Sequence, residues 1–303
     1  LNLSVDSFTI SAWIKTSSNA STRTLMSKGE KLQIRLNSFD QIEVMIDDAT
    51  TPKYISDMTI GDGKWHQLTF VYDSASIYLY IDGVLDNSKT IINPTPNGAE
   101  FAIGAIYIDK LNVLDFFKGD IDEIRIWDQA LTLTQLRYVM NQELQKAGTA
   151  VNGVVVPNTI TKNDIEVVDW SNLEAYYNMN SYIGTHLNDV SGNGNRGSLT
   201  DPNQFTLQYQ SSPLPYNTAN NGSWDNNSTW TNGAELYMPG TASIVDPSIT
   251  IDWNIVKTNH NLTLDNNTLP SGNNQNRTVL GLFVESNKLT ANGDTGLNQG
   301  NGL

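Results

Sequence analysis

The residues of this chain best suited to chemistry are oxygen donors. Asp120, Asp122 and Glu123 fall together in FKGDIDEIRIWDQ, which begins at Phe117, and Asp189, Asn193 and Asn195 fall together in DVSGNGN. In a regular strand Asp122 shares one side of the pleat with Ile124 and Ile126, while Glu123, Arg125 and Trp127 share the other. That alternation starts a carboxylate on the core side, where it must be hydrogen-bonded or metal-bound, because burying it alone is far too unfavourable. Calcium, which takes hard oxygen ligands, suits such a set. Asp122, Asp189, Asn193 and Asn195 are therefore the candidate metal ligands. The simpler alternative is that Asp122 accepts backbone amides and that SGNGN is a tight turn using Gly and Asn for positive φ.

A second chemistry is carbohydrate stacking, which needs aromatic faces with amides and acids nearby. Trp13, Tyr78 and Tyr80 alternate away from Phe8/Ile10 and Ile77/Leu79 and are the candidate ligand-binding residues. Packing under a loop or against a neighbouring domain is the competing role for each. His66, His186 and His260 have no spacing suited to a metal or a triad, and the absence of cysteine removes thiolate zinc sites and thiol nucleophiles.

These residues need strands to hold them. Phe8, Ile10, Ala12 and Ile14 alternate with polar neighbours, as do WHQLTFVYD from Trp65 and IYLYI from Ile77. Further strands are expected over 31–36, 41–46, 53–58, 100–105 and 119–127. Asp82-Gly83 fits a type I′ hairpin. Many short strands with such turns give an all-β, two-sheet jelly-roll sandwich whose inner sides carry Phe8, Ile10, Leu68, Phe70, Ile77, Leu79, Ile124 and Ile126. One helix is expected in DQALTLTQLRYVMNQEL, where Leu133, Leu136, Val139 and Met140 recur at helical spacing behind a Thr132 or Thr134 cap, closing the domain.

The 303 residues carry 18 Lys+Arg against 32 Asp+Glu, a net charge of −14. That balance argues against nucleic acid and anionic membrane as partners. No run approaches the roughly 18 apolar residues of a membrane helix. The chain opens directly into a strand and stops in NQGNGL, so it reads as a segment of something longer, with further domains and any secretion signal outside it.

FTISAWIKT, LMSKG, WHQLTFVYD, LYIDG and FKGDIDEIRIWDQALTLTQL, in that order, resemble a laminin-G-like, concanavalin A-like jelly roll of the pentraxin-related bacterial type, over roughly residues 1–145. The resemblance implies glycan binding, adhesion and cell-surface recognition, often with calcium. The family's opening strands are missing before Leu1, yet DWSNLEAYYNMNSYIGTHLNDVSGNGNRGSLT, over 169–200, resembles that opening. It either begins a degenerate second copy or folds back to complete the first sandwich. The domains are then a jelly roll over 1–146, a linker over 147–168, this opening segment over 169–216, and an Asn/Thr-rich segment over 217–303. In the last, short strands with Asn at the corners suggest β-solenoid rungs, with Trp224, Trp230 and Trp253 plugging an end.

Jelly-roll glycosidases of the concanavalin A class carry Glu-x-Asp-x-x-Glu or Glu-x-Asp-x-Glu, placing nucleophile and acid about 5 Å apart. Here Asp120 and Asp122 share a face, but the next same-side position in a regular strand is Ile124, so the pair is incomplete. The resulting reading is a secreted, bacterial cell-surface adhesin segment whose laminin-G-like module binds an extracellular glycan or surface protein without catalysis. A structural knob or spacer in a long fibre, or cargo of a secretion machinery, is the second reading, and a polysaccharide hydrolase is the third.

Overall fold

The computed structural model describes residues 6–47, 50–91, 95, 97–155, 167–199, 212–265, 277–292 and 297–299. The strands are β1 (Phe8–Ser17), β2 (Arg23–Lys28), β3 (Leu32–Leu36), β4 (Gln41–Ile46), β5 (Tyr54–Thr59), β6 (Asp62–Tyr72), β7 (Ser76–Ile81), β8 (Val84–Thr90), β9 (Phe101–Ile103), β10 (Ile106–Asp109), β11 (Asn112–Leu114) and β12 (Asp120–Trp127). Helix α1 (Leu133–Met140) and the hairpin β13 (Leu144–Ala147)/β14 (Ala150–Gly153) come next, then β15 (Leu173–Tyr177), β16 (Tyr182–Ile183), β17 (His186–Leu187) and β18 (Gly197–Ser198). The chain ends with β19 (Tyr216–Asn217), β20 (Gly222–Ser223), β21 (Ile255–Thr258), β22 (Leu262–Leu264), β23 (Arg277–Val279), β24 (Gly281–Val284), β25 (Leu289–Ala291) and β26 (Leu297–Gln299).

Two compact units result. The first joins residues 1–131 to 172–209, and the second joins 132–171 to 210–303. These boundaries differ from those expected at 146, 168 and 216. The middle of the expected linker, 156–166, and residues 200–211 lie outside the described residues.

The first unit is the expected sandwich. One sheet runs β15-β12-β1-β6-β7-β8 and the other β5-β4-β3-β2-β9, with antiparallel neighbours throughout. Register puts Phe8, Ile10 and Ala12 across from Tyr72, Phe70 and Leu68, and these across from Ile77, Leu79 and Ile81. Directly opposed residues share a face. All eight inner side chains expected from alternation are at most 2% exposed. Leu32, Ile34, Leu36, Ile42, Val44 and Ile46 form the apolar side of the other sheet. β15 takes the edge beside β12, Tyr177 opposite Ile124 and Ala175 opposite Ile126, so an edge that would offer unpaired amides and carbonyls is covered.

Local chemistry fixes the corners. Asp82 and Gly83 both have positive φ, 52° and 78°, as a type I′ turn requires. The Asp82 carboxylate also accepts the Gln67 amide at 2.8 Å and meets His66 Nδ1 at 2.8 Å, while Asp62 lies 3.3 Å from Nε2. At the β5–β8 edge Asp86 joins the two sheets, accepting the Tyr54 hydroxyl at 2.7 Å and the amides of Asp57 and Met58 at 3.0 and 2.9 Å.

In the second unit α1 starts at Thr132, whose side chain accepts the Gln135 amide while the Gln135 side chain accepts the Thr132 amide. The helix falls within this unit. Arg137 lies 3.7 Å over the Trp253 ring, and the Asn141 side chain donates to the Trp253 carbonyl at 2.8 Å. The C-terminal strands pair in parallel, β19-β21-β24, β20-β22-β25 and β23-β26. Asn221 and Asn261, at matching positions on successive passes, accept the backbone amides of Asn261 and Lys288 at 2.7 and 3.2 Å. Trp224 and Trp230 meet edge-on at 5.2 Å inside a core with Tyr216, Val256, Leu262, Leu264 and Val279.

His66 gives a pH prediction. Burial lowers its pKa, but the paired carboxylates of Asp82 and Asp62 prevail and push it up to about 10 from 6.5. The stabilisation is therefore complete below pH 6.5 and lost as pH rises through 10. Urea unfolding of the intact chain should lose on the order of 3 kcal/mol across that window, and the His66→Gln chain should lose most of that pH dependence. Replacing Asp86 by Ala, which leaves the hydroxyl of the buried Tyr54 without its acceptor, should lower unfolding free energy by about 1 kcal/mol in the same assay.

Candidate functional site

The site is built on β12, where one residue changes the phase of the strand. Glu123 has φ of 53°, and the register across β1 shifts there. Ser11 faces Arg125, Trp13 faces Asp122, Ile14 faces Ile121 and Lys15 faces Asp120. This is a β-bulge, two residues on β12 against one on β1. Asp122 therefore lies on the Trp13 side of the sheet, away from the core, and not on the Ile124 side that simple alternation assigns. The left-handed turn costs about 1 kcal/mol for a residue with a side chain, and the Glu123 amide recovers a partner in Asp122 Oδ1 at 2.9 Å.

The consequence is one outer face that gathers Asp120, Asp122, Arg125 and Trp127 from β12. Lys15 pairs with Asp120 at 2.8 Å. The Glu123 carboxylate accepts from the Arg125 guanidinium and from the Tyr176 hydroxyl, the latter at 2.7 Å. Arg125 also lies 5.3 Å from the Tyr176 ring centroid. Burial pushes the Glu123 carboxyl up to about 7, against the opposing pull of Arg125. A Glu-x-Asp-x-x-Glu spacing across this bulge would put its third acid where Arg125 stands, so the same-face run is acid, acid, cation.

From that end a row crosses the sheet: Tyr176, Arg125, Ser11, Thr69 and Tyr80. Tyr176, Arg125, Ser11 and Thr69 are buried, at 0, 1, 4 and 1% exposure, and Tyr80 is half-buried. Tyr78, two residues back on β7, shares the face and is also half-buried. Its hydroxyl donates to Asp73 Oδ2 at 3.0 Å. Burial raises the Asp73 carboxyl, but the amides of Ser76 and Ala75 and the Tyr78 hydroxyl more than offset it, holding it below its ordinary value. Of the three aromatic candidates, Tyr78 and Tyr80 stand together. Trp13 shares their face but is 3% exposed, so its ring is not open to a ligand. Asp73 was missed from sequence, although D-S-A-S is the kind of stretch in which an Asp caps its own turn.

The metal candidates fall into separate arrangements. Asp189 Oδ1 accepts the amides of Tyr176 and Ser191 at 3.1 and 3.0 Å, and Oδ2 accepts that of Asn195 at 2.9 Å. The amide nitrogens of Asn193 and Asn195 donate to the Leu173 and Glu174 carbonyls at 2.8 Å each. Gly192 and Gly194 have φ of 89° and 78°. The SGNGN stretch is therefore a turn that clamps β15, with its donors directed at backbone. Among the described residues no cluster of three or more His, Cys, Asp or Glu could hold a metal ion. His66 is a buried ion-pair member in the sandwich, His186 meets Thr185, and His260 meets Thr218.

Comparison with known proteins gives the wider setting. A family model described as the concanavalin A-like lectin/glucanases superfamily, of laminin-G type, matches residues 1–137. Among solved structures, a proposed carbohydrate-binding protein of Bacteroides ovatus ATCC 8483 aligns at 20% identity and a TM-score of 0.50, covering 69% of this chain and 55% of that one. The chain thus spans about half the length of that protein. A heptameric SAP-like pentraxin of Limulus polyphemus aligns at 16% identity and a TM-score of 0.37, covering 54% and 79%. Domain 4 of an extracellular arabinanase of Geobacillus stearothermophilus, solved with arabinotriose, aligns at 28% identity and a TM-score of 0.34, covering 43% and 65%. No curated protein matches the chain. Residues 1–137, which build most of the two-sheet antiparallel sandwich, are thus similar in sequence to the concanavalin A-like lectin/glucanases superfamily, over somewhat less than half of the chain.

Proposed function

We propose that the sandwich is a non-catalytic glycan-binding module of a secreted, cell-surface adhesin, and that the C-terminal unit is a β-solenoid spacer. The observation that carries the binding role is the Tyr78–Tyr80 pair on the outer face, half-exposed, with Asp73 fixed beside it. Residues i and i+2 on a strand present rings about 7 Å apart, a ladder on which sugar rings can lie. Asp73, held ionised, is a ready acceptor for sugar hydroxyls. The superfamily match supports a lectin-type role for this fold.

The non-catalytic reading draws on Arg125, which stands at the third same-face position of β12. Glu123, the acid with a raised pKa, is 3% exposed and held by Arg125 and Tyr176. The spacer reading draws on the parallel pairing of successive passes and on the Asn221–Asn261 ladder, features of chains that stack one coil on the next. A purely structural knob in a fibre is the second reading, favoured by the burial of Trp13.

Binding of oligosaccharides to the intact chain, followed by titration calorimetry, tests the proposal. Tyr78→Ala and Tyr80→Ala should each weaken it about tenfold or more, the loss of one stacking partner. An unchanged affinity in both variants would sink the assignment. Incubation with the same polysaccharides should release no reducing ends. Adding calcium, or removing it with a chelator, should leave both the affinity and the melting temperature where they were.

A further inference from the structure

The outer face that carries Tyr78 and Tyr80 has an unusual charge pattern for a sugar site. Register places Gln67, Thr69 and Val71 of β6, Ser76, Tyr78 and Tyr80 of β7, and Ser88 of β8 on this side. None of these is a cation. Lys89 of β8 faces Ile77 and so projects from the opposite side. The cations that do share the face, Lys15 and Arg125, lie toward β12 and are each tied to a carboxylate, Asp120 and Glu123. Lys15 also rests 5.4 Å over the Trp65 ring. Asp122 lies on the same side opposite Trp13, but at 1% exposure it is closed to a ligand. At the open rings stands Asp73, bonded to the Tyr78 phenol.

We infer that the glycan taken by this face is uncharged, and that Asp73 excludes sugars bearing carboxylates. The inference rests on the glycan reading above and deepens it. A uronate or sialate stacked on Tyr78 would bring its anion next to Asp73 with no guanidinium or ammonium on this side of β6, β7 or β8 to receive it. Anionic sugars are recognised through such groups, above all bidentate arginine. The net charge of −14 acts in the same direction at longer range. Neutral sugars meet none of these penalties, since their hydroxyls can donate to Asp73 and accept from the exposed Ser88. Specificity of this kind arises from repulsion of the wrong ligand as much as from attraction of the right one.

The test uses the intact chain and two panels of probes. Xylo-, arabino- and gluco-oligosaccharides form the neutral panel, with oligogalacturonate and sialyllactose as the anionic one, each titrated at low and at high salt. Neutral probes should bind, and anionic probes should bind at least about tenfold more weakly at low salt, a gap that narrows as salt screens Asp73. Asp73→Asn should narrow the gap at low salt without any added salt. If anionic probes bind as well as neutral ones at low salt, the inference falls while glycan binding stands. An unchanged gap in the Asp73→Asn chain overturns the assignment to this face. If neither panel binds, the glycan reading itself falls and the inference with it.

Discussion

A single left-handed residue in the middle of β12 decides what the sandwich presents to its surroundings. Without the extra residue at Glu123, the strand would alternate strictly, and Asp120 and Asp122 would sit on the same side as Ile124 and Ile126. Two carboxylates would then enter an apolar core with no partners there, at a penalty that ordinary folding stability cannot absorb. The bulge lets Ile121, Ile124 and Ile126 all face inward while the acids face outward. It also aligns Glu123 to hold both Arg125 on its own strand and Tyr176 on β15. The edge strand is thus fastened by the same device that sorts acids from core.

This coupling explains why β15 sits where it does. Leu173, Ala175, Tyr176 and Tyr177 are at most 3% exposed, so apolar burial holds the strand against the sheet. The turn that follows supplies direction: Asp189 accepts the Tyr176 amide, and Asn193 and Asn195 donate to the carbonyls of Leu173 and Glu174. Removing these contacts would leave β12 as an open edge beside a buried Glu–Arg pair, and breaking one partner from such a pair is far more damaging than its net worth suggests.

Where burial is one-sided and local, the strands were legible in the sequence. β4 runs over 41–46 as read because Ile42, Val44 and Ile46 alternate cleanly, and α1 starts at Thr132 because its cap and Gln135 are adjacent in sequence. The Asp82-Gly83 turn was legible for the same local reason. β8, VLDNSKT, was not, since it is an edge strand with mostly exposed residues and no apolar alternation to see. The phase of Asp122 was misread because no glycine marks the bulge, and a left-handed Glu leaves no signature in composition. Tyr78 and Tyr80 were placed on the correct side by period two alone, whereas the burial of Trp13 depends on what covers it, which a pleat does not encode.

The C-terminal unit follows another logic, in which polar side chains take over part of the ordering that an apolar core performs in the sandwich. Its strands are only two to four residues long, too short for alternation to specify register. Asn221 and Asn261 do it instead: each accepts the amide at the matching corner of the next pass, so a slip by one residue would break the bond as well as the strand pairing. Thr218 and Thr258, 3.1 Å apart, repeat the arrangement at a neighbouring position. Lys288 stands where a third Asn would continue the series, and it contributes its backbone, the amide to Asn261 and the carbonyl to the Leu262 amide at 2.9 Å. A chain stacked in this way needs neither cysteine nor long hydrophobic runs, which accounts for its Asn- and Thr-rich composition. Trp224 and Trp230 then supply the apolar volume that the short strands cannot, and their indole N–H groups are satisfied inside the core by the Pro239 and Trp224 carbonyls.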